Sequence, residues 1–342
     1  MKKRNLLVCT LFVAVFLNDF PAFSQNLIPQ NIIYAPMNAT PLILNPAFTG
    51  MFNGDLRANV SSGKDWNLYN FDRNYIVSVD LPVFTSKNNS YLAVGLQTNY
   101  SFSNNFVTNF SSVASVAYHK IFGPAIDSGN FHKSDLSFGL QGGYGQEYFD
   151  ESLWMTSNSY QNGNLVGPPI DIPNPIKYYS INAGICYAHA AGSHFNYALG
   201  LATYTSKSYE FLATASHPVY IGEAGAEWLV TNRFSLRPEF LYFTMSSARQ
   251  LVVGNEFHYK IKDKTSYNKY TSVFAGMWYS IDDAIMISSG IEYNKVRIGI
   301  GYKHSLPEQY GLVDEGLNIS LKYIVPGQKL FDNKRIIPCT RF

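Results

Sequence analysis

One pattern constrains this chain more than any other. From about residue 54 onward, runs of eight to thirteen residues alternate apolar side chains with small or polar ones, and Gly, Asn, Asp, Ser or Pro separates each run from the next. In YLAVGLQTNY (91–100), Leu92, Val94, Leu96 and Tyr100 share one face while Ala93, Gly95, Gln97 and Asn99 share the other. DLSFGLQGGYG (135–145) sets Leu136, Phe138, Leu140 and Tyr144 against Ser137, Gly139, Gln141 and Gly143. KVRIGIGYK (295–303) opposes Val296, Ile298, Ile300 and Tyr302 to Arg297, Gly299, Gly301 and Lys303. A side-chain period of two belongs to a strand, because successive Cβ atoms point to opposite faces of a sheet.

Fourteen such runs are predicted, near 54–62, 73–83, 90–101, 107–119, 134–147, 178–190, 193–205, 217–230, 233–245, 248–261, 269–281, 284–294, 296–305 and 316–325. Ala191-Gly192, Thr231-Asn232, Asp282-Asp283 and Asn294-Lys295 fall where tight hairpins belong, and consecutive hairpins make an antiparallel up-and-down meander. The sheet could close with its apolar face inward, as in a soluble barrel, or outward, towards lipid. Fourteen strands enclose more space than their own side chains fill, since about eight is the filled limit. The polar face is rich in Gly, Ser, Ala and Asn, whereas a soluble surface carries Lys and Glu. Charged residues make up only 15% of the chain, against about 25% in a typical soluble domain. The apolar faces tend to end in aromatics (Tyr100, Tyr118, Tyr144, Trp228, Tyr242, Tyr259, Tyr279, Tyr293, Tyr302 and Tyr323), as interfacial girdles require. The expected fold is therefore all-β, an antiparallel up-and-down transmembrane β-barrel of about 14 strands. An even strand number puts both termini on one side, the periplasmic one by the usual topology, and places the longest loop, about 148–177 with its Pro-rich GPPIDIPNPI stretch, outside.

The N-terminus reads as an export signal. Lys2-Lys3-Arg4 form a basic n-region, Leu6 to Leu17 an apolar h-region, and Ala22-Phe23-Ser24 sets small residues before a cleavage expected between Ser24 and Gln25. This run of twelve residues falls short of the roughly 20 that span a bilayer. The expected organisation is a signal peptide over 1–24, an ordered N-terminal segment over 25–53, the barrel over 54–325 and a basic periplasmic tail over 326–342. Cys9 leaves with the signal, so Cys186 and Cys339 remain, too few for a disulfide framework.

Chemistry-bearing residues are sparse. The alternation directs Glu223, Glu227, Arg237, Glu239, Glu256, His258, Glu292, Arg297 and Lys322 into the lumen. They suit a lining that contacts cargo, or an ion-pair network that neutralises itself. No nucleophile–base set, metal-ligand spacing or cofactor signature can be assembled from the sequence, so neither catalysis nor a cofactor is expected. His189, His194 and His217 sit near strand ends or turns. Gly143-Tyr144-Gly145 and Gly299-Ile300-Gly301 lack the following helix that a phosphate loop needs. A net charge of +2 gives no electrostatic footprint for nucleic acid.

PLILNPAFTG (41–50) stands apart from the alternation. Pro41 and Pro46 prevent ladder pairing, Asn45-Pro46 favours a turn, and Gly50 permits an unusual backbone angle. Leu42, Ile43, Leu44 and Phe48 want burial yet precede the first strand, which predicts a short segment packed at the periplasmic mouth or inside the lumen, with Leu44 and Phe48 against barrel residues.

This phrase resembles the (P)xxINPAxxG motif of the PorP/SprF family of the Bacteroidota. Asn45, Pro46, Ala47 and Gly50 match it, and Leu44 stands where Ile is usual. The resemblance continues through VDLPVF (79–84), LSFGLQGGYG (136–145), RFSLRPEFLY (233–242), RIGIGYKHSL (297–306) and LNISLKY (317–323), covering about 25–325. It implies a non-enzymatic outer-membrane component of type IX secretion and gliding motility. Such a protein supports secretion or surface anchoring of cargo, such as an adhesin recognised by its C-terminal domain. The implied partners are a periplasmic ring lipoprotein, a ring protein and outer-membrane lipid. Unlike barrels that stop at a terminal aromatic, this chain continues as PGQKLFDNKRIIPCTRF (326–342). The competing expectation is a diffusion channel for small solutes.

Overall fold

The structure is a computed structural model. It describes residues 40–66, 71–86, 89–103, 107–123, 132–149, 160–161, 164–165, 175–192, 194–208, 218–245, 248–262, 271–281, 283–306 and 315–326. The strands are β1 (Leu56–Trp66), β2 (Phe71–Ser86), β3 (Ser90–Ser103), β4 (Val107–Phe122), β5 (His132–Phe149), β6 (Tyr160–Gln161), β7 (Asn164–Leu165), β8 (Ile176–Ala191), β9 (Phe195–Ser208), β10 (Val219–Leu229), β11 (Phe234–Met245), β12 (Ala248–Lys262), β13 (Thr271–Ser280), β14 (Ala284–Tyr293), β15 (Val296–Ser305) and β16 (Glu315–Val325). The first turns of structure in the described chain are α1 (Pro41–Leu44) and a 3-10 turn, Pro46–Phe48.

Fourteen strands close an antiparallel barrel, each beside its chain neighbours, and β6–β7 form a separate two-stranded sheet. The closing seam is as complete as any other: β1 pairs with β16 from Leu56↔Val325 to Trp66↔Glu315. Closure leaves no strand edge, which lipid would not tolerate. Every predicted run is a strand, with ends that move by a few residues. At the β14–β15 hairpin, Asn294 and Lys295 both take positive φ (44° and 77°), the two-residue turn whose twist matches the flanking strands. Residue 282, half of the expected Asp282-Asp283 turn, lies outside the described residues, as do 1–39, His217, most of the 148–177 loop and the tail beyond 326.

The outer face is apolar. Leu140, Ile181 and Leu201 are 60%, 73% and 64% exposed, and Val77, Ile287, Ile298, Ile300 and Ile319 join them on a belt that water would not support. Among the girdle residues, Tyr100, Tyr118, Trp228, Tyr259, Tyr279, Tyr293, Tyr302 and Tyr323 point out with that belt. No helix among the described residues is long and apolar enough to cross a membrane; the strands make the crossing.

The inner face is less polar than the alternation alone suggests. Ile76, Val219, Ile221, Leu241, Phe243, Val252, Phe274 and Trp278 are buried inside the barrel. In β11, Phe240-Leu241-Tyr242-Phe243 is apolar on both faces, with Phe240 outside and Leu241 and Phe243 inside. The cause for all but Phe274 is an apolar guest in the lumen: Ile43, Leu44, Ala47, Phe48 and Met51 form one cluster with those wall residues, while Phe274 packs against His258 and Arg297.

Candidate functional site: the occupied lumen

The guest is the N-terminal segment, and its shape follows from its sequence. Pro41 occupies the first turn of α1, where a missing N–H costs nothing. Asn45 is extended and ends that turn. Its Oδ1 accepts from the Ala47 N–H at 2.8 Å, an Asx turn that starts the 3-10 turn with Pro46 at its first position. Gly50 then takes φ +76°, and a Cβ there would sit 2.2 Å from the Ala93 Cβ. Leu42, Ala47, Phe48, Asn45 and Thr49 are wholly buried, and Leu44 is 3% exposed.

Small residues in the wall make room for the Asn-Pro corner. A Cβ on Gly139 (β5) would lie 2.2 Å from the Pro46 carbonyl carbon, and one on Gly184 (β8) 1.9 Å from Asn45 Oδ1. On Gly200 (β9) it would lie 2.9 Å from Asn45 Nδ2. Asn45 Nδ2 donates to the Ile185 carbonyl at 3.2 Å and to Glu223 Oε1 at 2.7 Å, with the Leu201 carbonyl at 3.4 Å. One side chain thus ties three strands. Asn45→Ala removes those bonds and the Asx turn; it is expected to lower resistance of the folded barrel to urea by about 1–3 kcal/mol, the range for unmaking buried polar contacts.

Below that corner lies a polar lock. Arg57 (β1) donates to both Asp80 (β2) carboxylate oxygens, from Nε at 2.9 Å and Nη2 at 2.8 Å, and Nη2 also reaches the Phe48 carbonyl at 2.9 Å. Asp80 Oδ2 accepts from the Gly50 N–H at 2.7 Å. Neither ion is exposed, so this two-pronged pair is shielded from solvent. The Arg57 guanidinium also lies 4.9 Å above the Phe52 ring. Thr49 Oγ1 donates to Ser115 Oγ (2.9 Å), and the Tyr91 hydroxyl donates to the Gly50 carbonyl (3.3 Å). His119 Nε2 lies 2.7 Å from the Thr49 carbonyl and Nδ1 3.0 Å from Asp135 Oδ2.

The inward charges divide. Glu223 serves the Asn45 corner, and Glu239 accepts from Trp278 Nε1 at 2.6 Å. Glu227, Arg237, Glu256, His258 and Arg297 form one network on β10–β15. Arg237 bonds Glu227 at 2.7 Å and lies 3.7 Å from Glu256; Arg297 bonds Glu256 at 2.5 Å; His258 bonds Glu256. Arg297 also stacks 3.7 Å over the Phe274 ring, a cation–π contact. Glu292 pairs with Arg297 across the β14–β15 ladder, and Arg297 with Lys322 across β15–β16. Cations and carboxylates here largely neutralise one another. Glu256→Ala is expected to cost about 3–5 kcal/mol, because Arg237 and Arg297 lose a shared buried partner; a urea midpoint shift in detergent reads it. Among the described residues no group of three His, Cys, Asp or Glu could hold a metal. Cys186 is buried in the barrel wall.

The lock residues were not singled out from the sequence. Arg57 and Asp80 are 23 residues apart and His119 and Asp135 are 16 apart, and only strand register brings them together. The available signal was an isolated charge on an otherwise neutral inner face.

Fold and lumen together define a membrane-spanning β-barrel filled by its own N-terminal segment. The profile of the type IX secretion system membrane protein PorP/SprF family matches residues 28–323, so the chain belongs to that family. As a β-barrel of a membrane-protein family, it points to the outer membrane. No curated protein matches the sequence. Among solved structures, the deltaS2S3 mutant of the monoaromatic hydrocarbon channel TodX is similar at 10% identity, with 82% of this chain and 93% of that chain covered and a TM-score of 0.50. The toluene transporter TbuX of Ralstonia pickettii gives 9% identity, 83% and 92% coverage and a TM-score of 0.48. CdiB of Acinetobacter baumannii gives 10% identity and a TM-score of 0.41; 79% of this chain aligns over 60% of that one. At these identities the likeness is one of fold alone.

Proposed function

We propose that this protein is a non-enzymatic accessory barrel of type IX secretion that supports export or surface anchoring of a cargo protein, such as a gliding adhesin, by binding its C-terminal domain. Residues 1–24 act as its export signal, both termini face the periplasm, and it works beside the periplasmic ring lipoprotein and ring protein. Family membership supports the pathway. The observation that supports protein handling over solute diffusion is the occupied lumen: Thr40–Phe52 is buried inside the barrel, where a diffusion pore needs water. The inner charges that remain, from Glu227 to Arg297, are paired with one another and present no strong single-signed field to a passing ion.

The test is affinity purification of the full-length tagged protein from its native outer membrane. An exported protein and ring components are expected in the eluate. Recovery of this chain alone, together with steady solute conductance, would favour the diffusion channel. The basic tail is a proposed ring contact. Deleting 326–342 should leave barrel assembly intact and reduce recovery of ring components; unchanged recovery removes that contact.

A further inference from the structure

We propose that the stretch before Thr40, residues 25–39, is seated inside the lumen against a wall of side-chain amides on β1, β2, β3, β5 and β16. The inference goes beyond the secretion reading and holds whatever the barrel exports.

The course of the segment from Asp55 back to Thr40 points at that wall. Gly50 is held by Asp80 (β2) and lies against Ala93 (β3). Asn45 fits against Gly184 (β8) and Gly200 (β9). Leu42 Cδ1 lies 3.2 Å from where a Cβ on Gly95 (β3) would be, and the Leu42 carbonyl 3.5 Å from the Tyr204 (β9) hydroxyl. The chain thus advances from Ala93 to Gly95 along β3 and from Gly200 to Tyr204 along β9. Thr40 is buried, so the chain is still inside the barrel at its first described residue.

The next inward positions are amides. On β3 they are Gln97 and Asn99. Asn182 (β8) pairs with Tyr204 and with Gln141 (β5), and Gly63 (β1) pairs with both Asn74 (β2) and Asn318 (β16). Asn74, Gln97, Gln141 and Asn318 are buried. Each keeps one amide atom without a hydrogen-bond partner among the described residues, as does Asn99. An amide both donates and accepts, and a buried polar atom left unpaired costs stability. Ser61, Ile76, Ser111, Val113 and Gly143, on the same inward face, carry no charge. A Cβ on Gly63 would meet nothing nearer than 3.5 Å, which leaves a notch between Asn74 and Asn318.

Residues 25–39, QNLIPQNIIYAPMNA, suit such a wall. They carry no charge, and Gln25, Asn26, Gln30, Asn31 and Asn38 bring amides of their own beside the main-chain N–H and C=O groups. Every strand of the closed barrel already has two neighbours, and Pro29 and Pro36 have no N–H to give a ladder, so wall side chains are what can hold this stretch. Fully extended, it reaches about 50 Å, more than the roughly 30 Å of a bilayer core. Its covalent link to Thr40 keeps it at high local concentration.

Asn74→Leu combined with Asn99→Leu, made in the full-length protein and in a variant lacking 25–39, tests the seat by urea unfolding in detergent. Where the stretch pairs with the amides, the leucines lower the urea midpoint of the full-length barrel. In the shortened barrel they remove only orphaned atoms, so the midpoint stays or rises. Disulfide formation gives a readout that does not depend on stability. With Cys186→Ala and Cys339→Ser removing the native thiols, Met37→Cys is expected to cross-link to Ser111→Cys, beside Asn99 on β4, in several-fold higher yield than to Met245→Cys on β11, five strands away. An equal midpoint shift in both backgrounds, or equal yields at the two wall positions, would overturn the seat and leave the amides to a foreign polypeptide.

Discussion

Asp80→Ala is expected to loosen the lumenal segment more than any other single substitution. Asp80 accepts two bonds from Arg57 and one from the Gly50 N–H, and it is fully buried. Removing it strands a buried guanidinium, a change that costs about 3–5 kcal/mol where measured in other proteins. The barrel ladder does not depend on this side chain, so strands should persist while the segment detaches. Urea unfolding in detergent should show the loss of stability, and bilayer recordings should show channel steps absent from wild type. Arg57→Ala combined with Asp80→Ala should cost less than the two single changes added together, because the charge left behind is gone.

The second large effect is steric. Gly139 and Gly184 face the Asn45-Pro46 corner so closely that an added Cβ would lie 2.2 Å and 1.9 Å from its atoms. Those contacts are with backbone and with a held amide, so neither can yield cheaply. Gly184→Val should therefore expel the corner while favouring the strand, since valine suits β structure better than glycine. A folded, membrane-inserted barrel with raised conductance is the expected outcome. Gly142→Val is the matched control: on β5, a Cβ there meets nothing within 4 Å, and conductance should not change. Equal conductance in the two variants would show that the corner does not close the lumen.

Much of this architecture was legible in the sequence, for a definite reason. Each strand crosses between lipid and a lumen, so the period-two contrast in YLAVGLQTNY or VRIGIGYKHS survives with little interference from tertiary context. The tight hairpin at Asn294-Lys295 announces itself through Asn294, a residue that tolerates positive φ. The burial of Leu44 and Phe48 could be read because an apolar run broken by two prolines has no place in a ladder. The glycine cradle could not. Gly139, Gly184 and Gly200 look like many other lumenal glycines until the segment lies against them. The inward Phe243, Ile221 and Trp278 break the polar-lumen rule because their partner is an apolar plug. Arg57–Asp80 and His119–Asp135 are pairs made by register, and a single chain read in order does not expose register.

The most direct test of the closed lumen is single-channel recording of the full-length protein in planar bilayers beside a variant lacking residues 40–53. A lumen sealed by its own N-terminal segment predicts a silent full-length protein and stable, ohmic steps once the segment is gone. Full-length protein that conducts as steadily as the deletion would contradict it.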